Sequence, residues 1–277
     1  MIDNLESLFK LEGKTIIITG AAGLLGVQHA EAIAEMGGAP ILLDLNEQSC
    51  QEIAQKISKK FNVNAKGFSC DITQEKAIIR VRDELHRRSI RVDGLINNAA
   101  NNPKMDQTPN VNASRLENYS IDDWNQDFAV GVTGAFLCSR VFGADMAVQR
   151  SGVIVNVSSD LGVIAPDQRL YSINGVADDK QNVKPVSYSV TKHALIGLTK
   201  YLATYWADKG VRANTLCPGG VFNNQSDELV VRISERIPMG RMANVDEYKG
   251  AIQFLCSNAS SYMNSGCLVV DGGRVIW

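Results

Sequence analysis

Short apolar runs that alternate with longer helical stretches constrain the fold of this chain more than any other feature. The runs are continuous stretches of Ile, Val and Leu, which is typical of strands covered on both faces of a parallel sheet. The predicted strands span residues 14–20, 39–45, 64–70, 92–100, 152–159, 211–219 and 267–273. The predicted helices span residues 24–36, 47–60, 74–89, 121–150, 187–209, 226–236 and 245–256. This alternation predicts an α/β fold with a doubly wound parallel sheet.

The rest of the sequence indicates a single domain over residues 1–277, because it contains no internal repeat, low-complexity tract or linker. The 28 Lys and Arg residues against 30 Asp and Glu residues give a formal net charge of −2, without the basic excess of a general nucleic-acid binder. No apolar run approaches the roughly 18 residues of a membrane span, and the first residues lack the apolar core of a secretory signal. We therefore expect a cytoplasmic protein that binds neither nucleic acid nor membrane.

The cysteine pattern gives no indication of a metal site. No two cysteines form a CxxC pair, and the chain has only three histidines. We interpret the cysteines as small buried hydrophobic residues in a reducing compartment. They are Cys50, Cys70, Cys138, Cys217, Cys256 and Cys267.

A glycine-rich turn, TGAAGLLG at residues 19–26, follows the first predicted strand and precedes a helix. Glycines with this GxxGxxG spacing let the backbone approach a pyrophosphate, and the helix N-terminus offers free N–H groups and a positive dipole. The alternative is a tight strand–helix turn without a ligand. In its context the turn predicts a dinucleotide site. The predicted cofactor-binding residues here are Gly20, Ala22, Gly23, Leu24, Leu25 and Gly26.

Two acidic residues end the next predicted strands. Asp44 lies 24 residues after Gly20, where a carboxylate can accept both ribose hydroxyls of an adenosine and repel a 2′-phosphate. No Lys or Arg lies between residues 19 and 44, so we predict NAD rather than NADP. The alternative for Asp44 is a plain helix cap. Asp71, with Ile72 beside it, either contacts the adenine amino group or caps the helix from residue 74, and both interpretations stay open.

A tyrosine and a lysine, Tyr188 and Lys192, lie four residues apart in a predicted helix and therefore share one face. An unperturbed phenol has a pKa of about 10, which makes it a poor base at neutral pH, and a nearby ammonium lowers that pKa. The pair therefore predicts a tyrosine base assisted by a lysine, with an ordinary surface pair as the alternative. Tyr171 lacks such a partner, because Gly175 occupies the corresponding position.

Taken together, these motifs resemble the short branch of the short-chain dehydrogenase/reductase superfamily over nearly the whole chain. The resemblance implies the sheet order 3-2-1-4-5-6-7, hydride transfer between NAD and a secondary alcohol or ketone, and a homotetramer or homodimer. The motifs that carry it are TGAAGLLG at 19–26, Asp71, NNAA at 97–100, VNVSS at 155–159, YSVTK at 188–192, CPGG at 217–220 and SYMNSGCLVVDGG at 261–273.

The resemblance also implies roles for individual residues. Ser159 would hold the reacting oxygen, and Tyr188 would exchange the proton. Lys192 would bind the nicotinamide ribose and lower the pKa of the tyrosine. Tyr188 and Lys192 thereby count among the cofactor-binding residues as well. The further cofactor-binding residues that it implies are Asn98, Ala99, Ala100, Pro218, Gly219, Val221 and Asn223.

Three departures from the family pattern stand out. The GxxGxxG spacing is that of the longer nucleotide-sugar epimerases and dehydratases rather than the GxxxGxG of short members. Gly131 stands where the family has an Asn that supports a proton-relay water, so the resemblance implies a reorganised relay. Ser159 and Tyr188 are 29 residues apart, a longer gap than the usual one, which defines a substrate-side insert at residues 160–186.

The insert follows the end of a strand, where ligands bind in open α/β sheets, and we expect it to form one wall of the substrate pocket. Its polar inventory favours a sugar-like or polyhydroxylated substrate. With Gly131 and the glycine turn, it resembles the subgroup from bacterial surface-sugar pathways, including those for sialic-acid-like flagellin sugars. A nucleotide-sugar epimerase or dehydratase and a non-catalytic dinucleotide-sensing protein remain alternatives. The polar residues are Asp160, Asp167, Arg169, Tyr171, Asn174, Asp178, Asp179, Lys180 and Gln181.

Overall fold

The computed structural model describes residues 5–101, 113–172 and 175–276. In this part of the chain, seven parallel strands form one sheet in the order β3-β2-β1-β4-β5-β6-β7. All seven predicted strands are present, and the order that the resemblance implied is confirmed. The strands are β1 Thr15–Thr19, β2 Ala39–Asp44, β3 Lys66–Ser69, β4 Gly94–Asn97, β5 Gly152–Val157, β6 Val211–Pro218 and β7 Cys267–Val270.

Helices cover both faces of the sheet. Successive side chains of each strand point to opposite faces, so each strand packs against helices on both sides. Ile17 of β1 packs with residues of α4, α6 and α7, whereas Ile16 and Ile18 pack with residues of α2, α3 and α9. The α-helices are α1 Leu5–Phe9, α2 Leu24–Glu35, α3 Glu47–Phe61, α4 Glu75–Arg87, α5 Ile121–Phe128, α6 Ala135–Gln149, α7 Val186–Tyr205, α8 Asp227–Ser234 and α9 Lys249–Cys256.

The long apolar stretch after β4 is not the uninterrupted helix that the sequence predicted. A π-helical turn, Ala129–Gly134, joins α5 to α6, and it contains the buried glycines Gly131 and Gly134. By length and composition the run Ile121–Gln149 could cross a membrane, which corrects the expectation that no apolar run approaches that length. Half of its most apolar window is buried inside the fold, however, so the run is a core helix of this domain.

Five of the six cysteines are buried, as the sequence predicted, but Cys267 is exposed. Cys267 begins β7, which lies at one edge of the sheet that the described residues form. Its Sγ lies 3.2 Å from Sγ of Cys217 on the neighbouring strand β6. The prediction that Cys267 is buried is therefore wrong. The alternation of strands and helices along the chain does not reveal which strand lies at the edge of the sheet.

His29 of α2 makes the stability of the fold sensitive to pH. It is fully buried, neither ring nitrogen has a hydrogen-bond partner among the described residues, and burial lowers its pKa from 6.5 to about 3. The folded protein therefore keeps His29 neutral, whereas the unfolded chain binds a proton below its ordinary pKa. The stabilisation is complete above that ordinary pKa and is lost progressively as the pH falls.

We expect the free energy of unfolding to fall by about 2 kcal/mol between about pH 8 and about pH 5 because of this histidine alone. The variant His29→Leu should lack this part of the pH dependence. Urea unfolding of both proteins at the two pH values measures the difference. If the free energy of unfolding falls equally in the wild type and the variant, His29 is not the group responsible.

Candidate active site

A cavity of about 470 Å³ opens at the carboxyl edge of the sheet, where the chain leaves β4, β5 and β6. In open α/β sheets this edge is where ligands bind. A larger cavity, of about 590 Å³, contains none of the predicted site residues. The first cavity brings together both the predicted catalytic residues and many of the predicted cofactor residues. Those that line it are Leu24, Leu25, Asn98, Ala100, Ser159, Tyr188, Lys192, Pro218, Gly219, Val221 and Asn223.

The glycine turn has the geometry that a dinucleotide pyrophosphate requires. Gly20 has a positive φ of 61°, and a Cβ added there would lie 2.8 Å from Cα of Ala99. A Cβ added to Gly26 would lie 2.2 Å from the carbonyl oxygen of Gly20, so only glycine lets the helix approach the turn this closely. Gly23 caps α2 without a side-chain hydrogen bond. The turn therefore fits a bound phosphate group, which the helix N-terminus would stabilise.

The carboxylate of Asp44 lies beside this turn. Oδ2 accepts a hydrogen bond from the backbone N–H of Ala22 at 3.0 Å, and Oδ1 accepts one from Leu45 at 2.8 Å. The cap of α3 is Asn46, whose side chain accepts from the N–H of Ser49, so Asp44 is not a helix cap. Asp44 is therefore held next to the glycine turn, where an adenosine ribose would lie.

Asn98 ties the end of β4 to the glycine turn. Its side-chain amide donates to the carbonyl oxygens of Thr19 at 3.0 Å and Gly20 at 3.1 Å. The backbone N–H groups of Asn98 and Ala99 both donate to Oγ1 of Thr19 at 3.1 Å. These bonds fix the spacing between the first and fourth strands at the edge where the cavity opens.

Asp71 and Ile72 lie outside the cavity. Oδ1 of Asp71 accepts hydrogen bonds from the backbone N–H and the hydroxyl of Thr73, at 2.9 and 2.7 Å. The cap residue of α4 is Gln74, so the interpretation of Asp71 as the helix cap is wrong, although it stabilises the turn before that helix. Ile72 is buried and lies against Gly134 of the π-helical turn.

The cavity brings Ser159, Tyr188 and Lys192 together, because β5 ends there and α7 begins there. Pro185 precedes α7, so Tyr188 lies in its first turn and Lys192 one turn later. The buried Lys192 donates from Nζ to the carbonyl oxygen of Val157 at 2.9 Å, and this Nζ lies 5.7 Å from the ring centroid of Tyr188. Ser159 and Tyr188 line this cavity together, and the Ser159 hydroxyl acts to lower the pKa of Tyr188.

Burial dominates the ionisation of both α7 residues. It raises the pKa of Tyr188 to about 12, against the lowering effect of the nearby Ser159 hydroxyl. It also lowers the pKa of Lys192 to about 8, and the positive charge of Lys184 adds to that lowering. The predicted lowering of the tyrosine pKa is therefore not met in the protein alone, because the loss of water outweighs the lowering effect of Ser159.

Asp160 and Arg274 form a buried ion pair next to Ser159. Nε of Arg274 lies 3.4 Å from Oδ2 of Asp160, and the hydroxyl of Ser159 donates to Oδ1 of Asp160 at 2.7 Å. Burial raises the pKa of Asp160, while its hydrogen bonds and the charge of Arg274 act in the opposite direction. Sequence reasoning missed Arg274, although its position after the DGG at the end of the last strand was a usable signal.

Part of the insert lines the cavity and part faces solvent. Nε of Arg236, which follows α8, lies 2.7 Å from Oδ2 of Asp167 and holds one side of the insert. Gln181 does not line the cavity, and Asn174 falls outside the described residues. The lining residues are Asp160, Leu161, Pro166, Asp167, Leu170, Tyr171 and Lys184. The exposed polar residues are Arg169, Asp178, Asp179 and Lys180.

Gly131 lies against α7. A Cβ added to it would lie 3.4 Å from Cβ of Thr191, the residue before Lys192. The hydroxyl of Thr191 donates to the carbonyl oxygen of Tyr188 at 2.9 Å. The site of the missing family Asn is therefore adjacent to the lysine-bearing turn of α7, and no side chain projects from it.

A protein-family model described as "Enoyl-(Acyl carrier protein) reductase" matches residues 20–274. The chain belongs to the short-chain dehydrogenase/reductase superfamily. It is accordingly an oxidoreductase with a pyridine nucleotide cofactor. The motifs that suggested this family extend across the matched region, and the sheet has the order that they implied.

Several relatives in this superfamily carry names that refer to polyols or sugar acids. D-threitol dehydrogenase of Mycolicibacterium smegmatis is 29% identical over 97% of this chain and 95% of its own length. The structure of a gluconate 5-dehydrogenase from Burkholderia cenocepacia with NADP and tartrate has a TM-score of 0.86 and 27% identity, over 99% of this chain and all of that one. An NAD⁺-bound xylitol dehydrogenase has a TM-score of 0.81 and 27% identity, over 95% of this chain and 100% of that one.

Proposed function

We propose that the protein is an NAD-dependent oxidoreductase that interconverts a secondary alcohol and a ketone on a sugar-like or polyhydroxylated substrate. The observation that carries this proposal is that Ser159, Tyr188 and Lys192 lie in the same cavity, where polar residues of the insert form part of the wall. The names of the relatives, which refer to threitol, gluconate and xylitol, support the substrate class. The proposed site consists of the catalytic and cofactor-binding residues given above.

Each side chain of the site has a distinct task in this reaction. The bound nicotinamide supplies the hydride chemistry. Tyr188 takes the proton from the substrate hydroxyl during oxidation and returns it during reduction. Ser159 holds the reacting oxygen through its own hydroxyl, and Asp160 in turn orients that hydroxyl. Lys192 places a positive charge beside the tyrosine, and this charge favours the phenolate.

The choice of NAD rests on residues of this chain, since its solved relatives include both NADP-bound and NAD⁺-bound proteins. Asp44 is held next to the glycine turn by the N–H of Ala22, where its negative charge opposes a 2′-phosphate. No Lys or Arg in residues 20–43 is present to compensate. These features support the choice of NAD.

We also propose that the protein is a single domain and a cytoplasmic homotetramer or homodimer. Tyr201 and Tyr205 of α7 are exposed and stack on each other with ring centroids 5.6 Å apart. Exposed aromatic rings on a long helix are suited to pairing with a symmetry-related copy. Light scattering at micromolar concentration tests the assembly, and a monomer would contradict it.

A substrate panel tests the proposed function directly. Purified protein is mixed with NAD⁺ or NADP⁺ and polyols, aldonic acids or sugars, or with NADH or NADPH and keto-sugars, and the absorbance of the reduced nicotinamide is followed. We expect turnover with NAD and a compound that carries several hydroxyl groups. Turnover confined to simple aliphatic alcohols, or release of an epimerised or dehydrated sugar nucleotide without net redox change, would contradict the proposal.

Tyr171 offers a test of the insert as the substrate wall. It lines the cavity, and burial raises its pKa well above the usual phenol value, with the nearby Tyr188 adding to the rise. We expect Tyr171→Phe to raise the KM for a polyhydroxylated substrate by about tenfold, because a site built for hydroxyls is weakened when one partner is removed. The affinity for NAD should not change. The exposed insert residue Lys180, replaced by Met, is the control, and an unchanged KM in Tyr171→Phe would contradict this role.

A further inference from the structure

A second lysine lies closer to the ring of Tyr188 than Lys192 does. Nζ of Lys184 is 3.7 Å from the centroid of that ring, compared with 5.7 Å for Lys192. Lys184 belongs to the insert and lines the same cavity as Ser159 and Tyr188. Sequence reasoning did not single it out, because it lies outside the YxxxK motif.

The backbone around Lys184 fixes its position over the ring. Its N–H donates to Oε1 of Gln168 at 2.8 Å, which joins the two ends of the insert. The next residue, Pro185, begins the path into α7, and its carbonyl oxygen accepts from the N–H of Tyr188 at 3.2 Å. Lys184 therefore lies one turn before Tyr188 and extends along the same side of the helix start.

Charged groups from three elements face Lys184. Asp160 follows β5, Asp127 lies in α5, and Lys192 lies in α7. The carboxylate of Asp127 accepts hydrogen bonds from the hydroxyls of Tyr119 and Ser187. Burial lowers the pKa of Lys184 to about 8, while the two aspartates oppose this change. At neutral pH Lys184 therefore remains mostly a cation.

We propose that Lys184 is a positioning residue of the reaction, whose ammonium group stabilises the phenolate of Tyr188 from the face of the ring. An ammonium over an aromatic face is attracted to its π electrons, and this attraction strengthens when the pair is desolvated. A phenolate ring carries more negative charge than a neutral phenol ring, so the cation favours ionisation. The inference rests on the proposed role of Tyr188 as the group that exchanges the proton.

The ionisation of Tyr188 can be measured without a substrate. In the complex with NAD⁺, the near-ultraviolet absorbance of tyrosinate is titrated in the wild type and in Tyr188→Phe, and the difference isolates this residue. The same two titrations are then repeated on proteins that carry Lys184→Met, one with Tyr188 and one with Tyr188→Phe. In this complex the positive charge of the nicotinamide ring would also favour the phenolate and move its titration towards the range in which Lys184 is charged. There we expect Lys184→Met to raise the apparent pKa of Tyr188 by about one unit, which is a tenfold loss of phenolate at a fixed pH.

Two further variants separate charge from structure. Lys184→Arg keeps the cation and should keep the pKa of Tyr188 close to that of the wild type. Lys180→Met removes an exposed lysine of the same insert and should change nothing. With a substrate, kcat of Lys184→Met should show the same shift in its pH profile, with an unchanged KM for NAD.

Two results would overturn the inference. One is an unmoved pKa of Tyr188 in a folded Lys184→Met protein that binds NAD⁺. The other is a raised KM for the substrate with an unmoved pH profile of kcat, which would make Lys184 a substrate-binding residue only. Failure of the proposed function itself appears in a different measurement, as wild-type turnover by Tyr188→Phe.

Discussion

Replacing Tyr188 by Phe should lower turnover by at least about a hundredfold, the usual contribution of a general acid–base group. The change keeps the ring that packs beneath Lys184 and deletes only the hydroxyl, in the cavity that Ser159 also lines. The dissociation constant for NAD should change little, because the glycine turn and Asp44 lie elsewhere at the sheet edge. Steady-state kinetics and a cofactor titration together measure the two effects.

The matched control is Tyr262→Phe, which removes a hydroxyl from a fully exposed ring far from the cavity lining. It should retain wild-type kinetics. If Tyr188→Phe works within a factor of a few of the wild type, the proton passes through another group and the assignment of Tyr188 is wrong.

Replacing Asp44 by Asn should reduce the preference for NAD over NADP by about a hundredfold, because the repulsion of a 2′-phosphate by a nearby carboxylate is lost. Asparagine keeps the shape and an oxygen that can accept the hydrogen bond from Ala22, so the glycine turn should keep its geometry. Titrating both reduced cofactors against wild type and variant measures the ratio of dissociation constants.

Asp71→Asn is the control for this experiment. Asp71 lies at the end of β3, where any contact would be to the part of the cofactor that NAD and NADP share. This variant should therefore weaken the binding of both cofactors by the same factor or leave both affinities unchanged. Equal or tighter binding of NADPH than of NADH by the wild type would show that Asp44 does not select the cofactor.

Much of the fold could be predicted from the sequence because its signals are local. A strand covered on both faces is apolar at most positions, so β1 and β5 are visible as runs of Ile and Val. The glycine turn is visible because Gly20 needs a positive φ and Gly26 tolerates no Cβ. The pair Tyr188 and Lys192 is visible because residues four apart share a helix face. The order of the strands required the family resemblance, since local patterns do not pair strands.

The surroundings of the site were decided by the tertiary structure. Arg274 and Asp160 lie far apart in the chain. They meet because β5 and β7 end at the same edge of the sheet. The rise in the pKa of Tyr188 depends on its burial, which only the folded chain provides. Lys184 lies only four residues before Tyr188, but outside the helix, and the path of the chain through Pro185 places it over the ring. The sequence determined which groups are present and which neighbours share a turn, whereas their burial and mutual distances arise from packing between segments that lie far apart in the chain.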